Sequence, residues 1–238
     1  PDAARAAPLL PGADAWMHRW IGDLQAYPHR CWEQILSRGV AAAIAIERGD
    51  VERWPDAKAV VKEALENATV FQSDKGDFGY FADEFDDVDE SRPQYALTAY
   101  SVRALRLLRG MGYDIPADAL RRAEDFLKQH GTALADSKSS VDEAAFVVSG
   151  LERADGQVLD ALWRQWSIMG LPARIATTRA MLAGEHPQAD EAVARLRKAT
   201  KRRGETLRLQ SGEQGGRWMS TDLREQCEFI GLLFQFPE

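Results

Sequence analysis

The chain has 238 residues, a hydrophobic content of 45% and a formal net charge of −7, which allow a sizeable core in one or two domains. The acidic balance argues against a nucleic-acid partner, because such a partner requires a basic face. No apolar run approaches the roughly 18 residues of a membrane span. We interpret one short basic cluster as the solvated end of a helix: Lys198, Lys201, Arg202 and Arg203.

The first segment of the chain, residues 1–12, has the composition of a linker and predicts the end of a connection from a preceding domain. It has no signal-peptide pattern, so it gives no information on localisation. From residue 13 onward the chain is expected to form a folded unit that continues to residue 238.

Helical patterns follow one another along this unit. Residues 13–25 carry apolar side chains at helical spacing, and residues 32–48 are apolar nearly all round, which is typical of a helix buried on most sides. Pro116 and a Ser140/Glu143 capping box mark helix starts. Glycines 110, 131 and 170 fit helix ends. The other predicted helices lie at about 57–71, 94–110, 117–130, 141–153, 157–169, 171–183, 188–202 and 220–235.

A series of helix pairs without strand runs argues against a parallel α/β sheet. It favours helical hairpins that stack into a solenoid or close into a ring. Two glycine- and aromatic-rich stretches, 71–81 and 209–219, resemble each other. They predict short β-hairpins near 73–82 and 205–218. The fold class is therefore all-α with one or two small hairpins.

The segment 27–38 (YPHRCWEQILSR) places a cysteine where a helix is expected to begin, because Pro28 excludes the helix from its own position. Cys31 and Gln34 are then neighbours on one face, about 5–6 Å apart at Cβ. Backbone N–H groups at a helix start stabilise a thiolate. Attack of the Cys31 sulfur on the Gln34 carboxamide carbon, with loss of ammonia, would give an internal thioester. Spacing alone leaves open that the two residues are unrelated.

The surrounding residues resemble the alpha-2-macroglobulin and complement family. The segment from Tyr95 to Leu127, the GDFGYF stretch before it and residues 220–232 are similar to the bacterial branch, and the resemblance covers roughly residues 13–235. Five residues match the Y-P-x-x-C-x-E-Q thioester motif of this family: Tyr27, Pro28, Cys31, Glu33 and Gln34.

This resemblance implies an α/α toroid, with residues 13–238 as the thioester domain of a larger protein. It leaves open that this domain is truncated at its C-terminal end. It implies a Cys31–Gln34 thioester that acylates lysine amines of proteases once, without turnover and without a cofactor or metal. Neighbouring domains of the parent chain would shield the bond. The bacterial branch implies a periplasmic protein, often lipid-anchored, with a role in host defence.

Two residues depart from the family pattern. Arg30 stands where the family usually has glycine, and it adopts a positive φ less readily than glycine does. Trp32 stands where a small or aliphatic residue is common. It either shields the bond from water or is a core aromatic, and we favour the core. Glu33 is expected to help hold the geometry of the motif.

Complement-like members use a histidine more than a hundred residues after the cysteine to pass the acyl group to hydroxyls. The matching region, about 131–140, contains no histidine. His130 borders it, and we interpret His130 as a polar group at a helix end rather than as a relay. The remaining histidines are scattered and form no ligand pair: His18, His29 and His186.

Two alternatives remain open. In the first, the chain is a toroid hydrolase or lyase whose loop carboxylates act as general acid and base. That reading uses Asp86, Asp87 and Asp89 from an acidic run that is more typical of a solvated loop; the run also contains Asp83, Glu84 and Glu90. In the second, the chain is a binding module whose thioester no longer forms.

The second cysteine, Cys227, lies in an amphipathic helical pattern, DLREQCEFIGLLF. Two cysteines form neither a disulfide framework nor a zinc cluster. We expect Cys227 to be a buried free thiol, spared by alkylation and not bonded to Cys31.

Overall fold

The computed structural model of the chain describes residues 19, 21–82, 94–137, 141–203, 206–209 and 227–232. The predicted linker, the acidic run from Asp83 to Glu90, Ser140 of the predicted capping box and His18 lie outside the described residues.

Helices dominate the described chain. Residues 21–25 and 227–232 are also helical, and two short 3₁₀ turns lie at Asp50–Glu52 and Trp166–Ile168. One antiparallel pair, β1 (Thr200–Arg203) and β2 (Thr206–Leu209), follows the last of the α-helices that we number. Those helices are α1 (Trp32–Glu47), α2 (Ala57–Asn67), α3 (Tyr95–Gly110), α4 (Ala117–Ala135), α5 (Val141–Gly150), α6 (Gly156–Arg164), α7 (Leu171–Ala183) and α8 (Ala189–Lys198).

The helices alternate between two layers. The odd-numbered helices α1, α3, α5 and α7 pack against one another in series, and each even-numbered helix packs beside its odd-numbered neighbour on the outside. The inner helices carry small or apolar residues on most sides, and even polar residues of α7 such as Thr177 and Thr178 are fully buried. The outer helices α2, α4, α6 and α8 are amphipathic and keep a charged face. The predicted all-α fold of helix pairs is confirmed.

Several predicted boundaries are wrong. α4 continues through Gly131 to Ala135, so Gly131 does not end the helix. A Cβ at Gly131 would lie 3.4 Å from Val147 Cγ1, so the missing side chain lets α5 pack close to α4. The last basic cluster divides between the end of α8 and strand β1, which begins at Thr200. Packing of neighbouring elements, which local periodicity does not record, sets these ends.

The first predicted hairpin is present. Gln72 and Phe78 form an antiparallel bridge, and the Gly79 N–H donates to the Phe71 carbonyl at 3.0 Å. We call residues 71–81 the aromatic hairpin. The second hairpin is the pair β1–β2, in which Arg203 pairs with Thr206, so its first strand lies before the predicted span of 205–218; residues 204, 205 and 210–218 lie outside the described residues.

Gly76 at the tip of the aromatic hairpin cannot be replaced without strain. Its φ is +102°, and a Cβ there would lie 2.5 Å from the backbone oxygen of Arg122 in α4. We therefore expect Gly76→Ala to lower the free energy of unfolding by about 3 kcal/mol, measured by urea denaturation. Gly112→Ala is the matched control, since Gly112 has a φ of +87° but open space around it. Equal losses in the two variants would contradict a steric role for Gly76.

Candidate functional site

Cys31 lies at the start of α1. It is the N-cap residue, with extended φ and ψ of −71° and 162°, and α1 begins at Trp32 as the sequence predicts. Residues 27–30 before it are exposed, whereas Cys31 itself is buried, with 9% of its surface exposed. The cysteine therefore lies where the surface segment enters the core.

Gln34 folds back onto this cap. The Cys31 backbone N–H donates to Gln34 Oε1 at 3.3 Å, and the Cys31 side chain faces the backbone N–H of Gln34 in a reciprocal capping arrangement. The carboxamide of Gln34 is thus held beside Cys31 instead of extending into solvent. The oxygen that accepts this hydrogen bond is the atom that would remain as the carbonyl oxygen of a thioester.

Arg30 does not need a positive φ. Among the described non-glycine residues only Glu185 has one, so the backbone at Arg30 lies in an ordinary region. The Arg30 guanidinium pairs with the Glu63 carboxylate on α2. The missing glycine therefore imposes no backbone strain before Cys31.

Trp32 is a core residue, as we favoured. It has no exposed surface and stacks on Phe78 and Phe71 of the aromatic hairpin, with ring centroids 5.1 and 5.6 Å away. Its indole Nε1 donates to Ser101 Oγ on α3 at 2.7 Å. Its backbone N–H donates to the Tyr80 carbonyl at 2.9 Å. The first turn of α1 is thus fixed to both the hairpin and α3.

The other motif residues lie on different sides of this start. Tyr27 and Pro28 are exposed, and the Tyr27 ring meets His29 edge-on at 5.4 Å. Glu33 faces an open cavity of about 810 Å³ between the inner helices, together with Ser37 and Tyr100. The structure thus brings Cys31 and Gln34 together, and Glu33 lines the cavity.

No family model matches the chain. It is 26% identical to "Alpha-2-macroglobulin" of Escherichia coli over 90% of its own length and 13% of the relative's length. The native conformation of E. coli alpha-2-macroglobulin superposes with a TM-score of 0.65 at 21% identity, covering 92% of this chain and 14% of that one. Salmonella alpha-2-macroglobulin reacted with methylamine gives a TM-score of 0.70 at 18% identity, covering 93% and 15%.

The resemblance to the alpha-2-macroglobulin family is confirmed. It rests on the sequence match to the E. coli protein together with the shared fold. The chain corresponds to about an eighth of that relative's length. No helix among the described residues is long and apolar enough to cross a membrane, and the same residues contain no group of side chains suited to a metal ion.

An ion cluster that the sequence did not predict lines the cavity beside this motif. Glu228 Oε2 accepts from Arg179 Nη1 on α7 at 2.6 Å, and Arg103 Nη2 on α3 lies 3.3 Å from the same oxygen. Burial raises the pKa of Glu228, but the guanidinium groups of Arg103 and Arg179 together lower it by more than burial raises it, so the net shift is downward. The cluster fastens helical residues 227–232 to two inner helices.

This cluster predicts a pH-dependent contribution to stability. Because the pKa of Glu228 is lower in the folded state than in the unfolded state, its contribution is present above the unfolded-state pKa and is lost as pH falls through the folded-state pKa. We expect Glu228→Gln to lower the free energy of unfolding by about 2 kcal/mol at neutral pH, with a smaller difference in acid.

Urea denaturation over a pH series measures this difference. The control is Glu66→Gln, since Glu66 pairs with Lys62 at 3.5 Å on the exposed face of α2 and is expected to contribute little. A Glu228→Gln effect that is independent of pH would show that the carboxylate charge is not involved.

His130 lies inside α4, not at its end, so our interpretation of it as a terminal cap is wrong. Its ring packs on Phe126 and Tyr95, with centroids 4.6 and 5.6 Å away. Burial raises the pKa of Tyr95, and the nearby carboxylates Glu143 and Asp77 raise it further. His130 is thus one member of an aromatic cluster between α3 and α4. Elsewhere, His186 is buried with its Nε2 3.1 Å from Asp160 Oδ1.

Cys227 is a free thiol, as predicted, but it is exposed rather than buried. The helical residues 227–232 bury Phe229 and Leu232, which are three positions apart and share one face. Cys227 precedes Phe229 by two positions and therefore points away from that face. The expectation that native alkylation spares Cys227 is consequently wrong.

Proposed function

We propose that this chain is a thioester domain, spanning residues 13–238 of a larger alpha-2-macroglobulin-like protein, and that it captures proteases covalently. The observation that carries the proposal is the reciprocal contact of Cys31 and Gln34 at the start of α1. Tyr27, Pro28 and Glu33 complete the motif around that pair.

Two steps describe the chemistry. In the first, Cys31 Sγ bonds to Gln34 Cδ, and the side-chain nitrogen of Gln34 takes up the thiol proton and leaves as ammonia. In the second, a lysine amine of a protease attacks Cδ, an amide forms, and Cys31 departs as the thiol. The hydrogen bond from the Cys31 N–H to Gln34 Oε1 polarises this carbonyl in both steps.

A trap of this kind acts once. The amide that forms is stable and Cys31 is left as a thiol, so each molecule reacts once and the chain acts as a component of an inhibitor. Two further solved structures with a similar fold are in keeping with this role: E. coli alpha-2-macroglobulin activated by trypsin and the same protein activated by porcine elastase. Neighbouring domains of the parent chain would shield the bond before capture. We also propose a periplasmic parent protein with a role in host defence, as the resemblance to the bacterial branch of the family implies; members of that branch are often lipid-anchored.

Intact mass tests the proposal. The freshly purified chain is expected to be lighter than its sequence by one ammonia, and methylamine is expected to add one molecule and release one titratable thiol. A protein of plain sequence mass that takes up no amine would contradict the proposal and leave the binding-module and enzyme alternatives. A mass heavier by the step from amide to acid would show that the bond had closed and then been lost to water.

The enzyme alternative predicts plain sequence mass and no amine uptake. Its carboxylates, Asp86, Asp87 and Asp89, lie outside the described residues, and no observation in the described chain favours it.

A further inference from the structure

We propose that Trp32, held by Ser101, is the positioning residue that sets the start of α1 so that Cys31 and Gln34 can close into a thioester. This inference rests on the proposed function. It concerns a residue that departs from the small or aliphatic side chain common at this position, and it assigns that departure a role.

Trp32 is held in place through its backbone N–H, its indole N–H and its ring. Both of its N–H groups are bonded, the backbone N–H to the Tyr80 carbonyl at 2.9 Å and the indole N–H to Ser101 Oγ at 2.7 Å. Its ring is stacked with Phe78 and Phe71 and has no exposed surface. A residue fixed by two hydrogen bonds and two ring contacts has little freedom to move.

The fixed position of Trp32 sets the geometry at the start of α1. Trp32 is the first residue of α1 and is bonded directly to the N-cap, Cys31. The N–H groups of the first turn, including that of Gln34, take their positions from it. A shift of the indole therefore displaces the Cys31 side chain relative to the Gln34 carboxamide, which is the geometry on which closure depends.

Ser101 provides the hydrogen-bond acceptor for the indole N–H of Trp32. Its hydroxyl is fully buried, donates to the Leu97 carbonyl at 2.8 Å, and accepts from Trp32. It therefore makes one hydrogen bond as a donor and one as an acceptor. Ser101→Ala removes the only hydrogen-bond acceptor given to the indole N–H within the described residues, and leaves that N–H buried and unsatisfied.

A control with the same local chemistry exists in the other half of the chain. Thr178 is also fully buried on an inner helix, and its hydroxyl donates to the carbonyl four residues earlier, Arg174, at 2.8 Å. It lies on α7, whose buried apolar residues belong to a different core cluster from the one that contains Trp32. Thr178→Ala thus reports the cost of losing a buried hydroxyl, together with one methyl group, without disturbing α1.

The experiment measures the thioester-containing fraction by intact mass in Ser101→Ala, Thr178→Ala, Trp32→Phe and the double variant Trp32→Phe/Ser101→Ala. We expect Ser101→Ala to lower the fraction about tenfold and to accumulate protein of plain sequence mass, because the bond fails to close. Thr178→Ala should remain within about twofold of wild type. Trp32→Phe should show the same loss, and adding Ser101→Ala to it should change nothing further, since the shared bond is already absent.

Each contrary outcome is informative. Equal fractions in Ser101→Ala and Thr178→Ala would overturn the proposal, and so would additive losses in the double variant. Accumulation of the acid mass in Ser101→Ala would also overturn it, because the bond would then have closed and only its protection would have changed. If Ser101→Ala does not fold, Trp32→Phe alone decides.

Failure of the proposed function is recognised separately. A wild-type protein of plain sequence mass contradicts the thioester itself. In that case the pH profile of Cys31 alkylation decides the positioning role. We expect Ser101→Ala to change this profile and Thr178→Ala to leave it unchanged; an unchanged profile in both variants would overturn the positioning role as well.

Discussion

Gln34→Glu is expected to abolish methylamine incorporation completely. The thioester requires an amide that can lose ammonia, and a carboxylate beside Cys31 presents a poor acyl donor to a thiol. The variant keeps the size of the side chain and an acceptor oxygen for the Cys31 N–H, so α1 should still begin at Trp32. Intact mass before and after methylamine treatment, with circular dichroism for the fold, measures the outcome.

Three further variants make this loss specific. Cys31→Ala should be equally inactive, since it removes the sulfur. Cys227→Ser should react like wild type, because Cys227 is an exposed free thiol on the helical residues 227–232 and stands outside the Y-P-x-x-C-x-E-Q motif. Gln129→Glu, on the exposed side of α4, makes the same chemical change without effect on the motif. Amine uptake that survives Gln34→Glu would place the reactive carbonyl elsewhere and contradict the assignment of Gln34.

The second large effect is a preference for amines over alcohols. Amines attack a thioester directly, whereas hydroxyls need a base, and a positioned base contributes roughly a hundredfold or more. Residues 131–140 supply no histidine, and the His130 ring is packed against Phe126 and Tyr95 in the interior of α4. We therefore expect lysine-type amines to be acylated about a hundredfold faster than glycerol at matched concentrations.

Two His130 variants test whether this ring takes part. His130→Phe keeps an aromatic ring against Phe126 and Tyr95 but removes both nitrogens, and His130→Ala removes the ring as well. Both should leave the amine-to-alcohol ratio unchanged within a few-fold, counted as adducts by mass. Alcohol adducts that dominate in wild type and disappear in both variants would identify His130 as the relay and show that the preference is wrong.

The amino-acid sequence determined the features that depend on neighbours along the chain. Helical periodicity predicted most of the helices, and Pro28 predicted that α1 would begin beside Cys31. The i, i+3 spacing predicted that Gln34 would lie next to Cys31, and the Gln34 oxygen does accept from the Cys31 N–H. These interactions span one helical turn, so backbone geometry alone fixes them.

The tertiary structure decided what depends on distant partners. Ser101 lies 69 positions from the indole it accepts from, and Arg103 lies 125 positions from Glu228. No local pattern marks either pair, because the fold alone brings them together. The burial of Cys227 was predicted wrongly for the same reason. An amphipathic pattern shows that a helix has an apolar face, but the packing of Phe229 and Leu232 decided which side that face took.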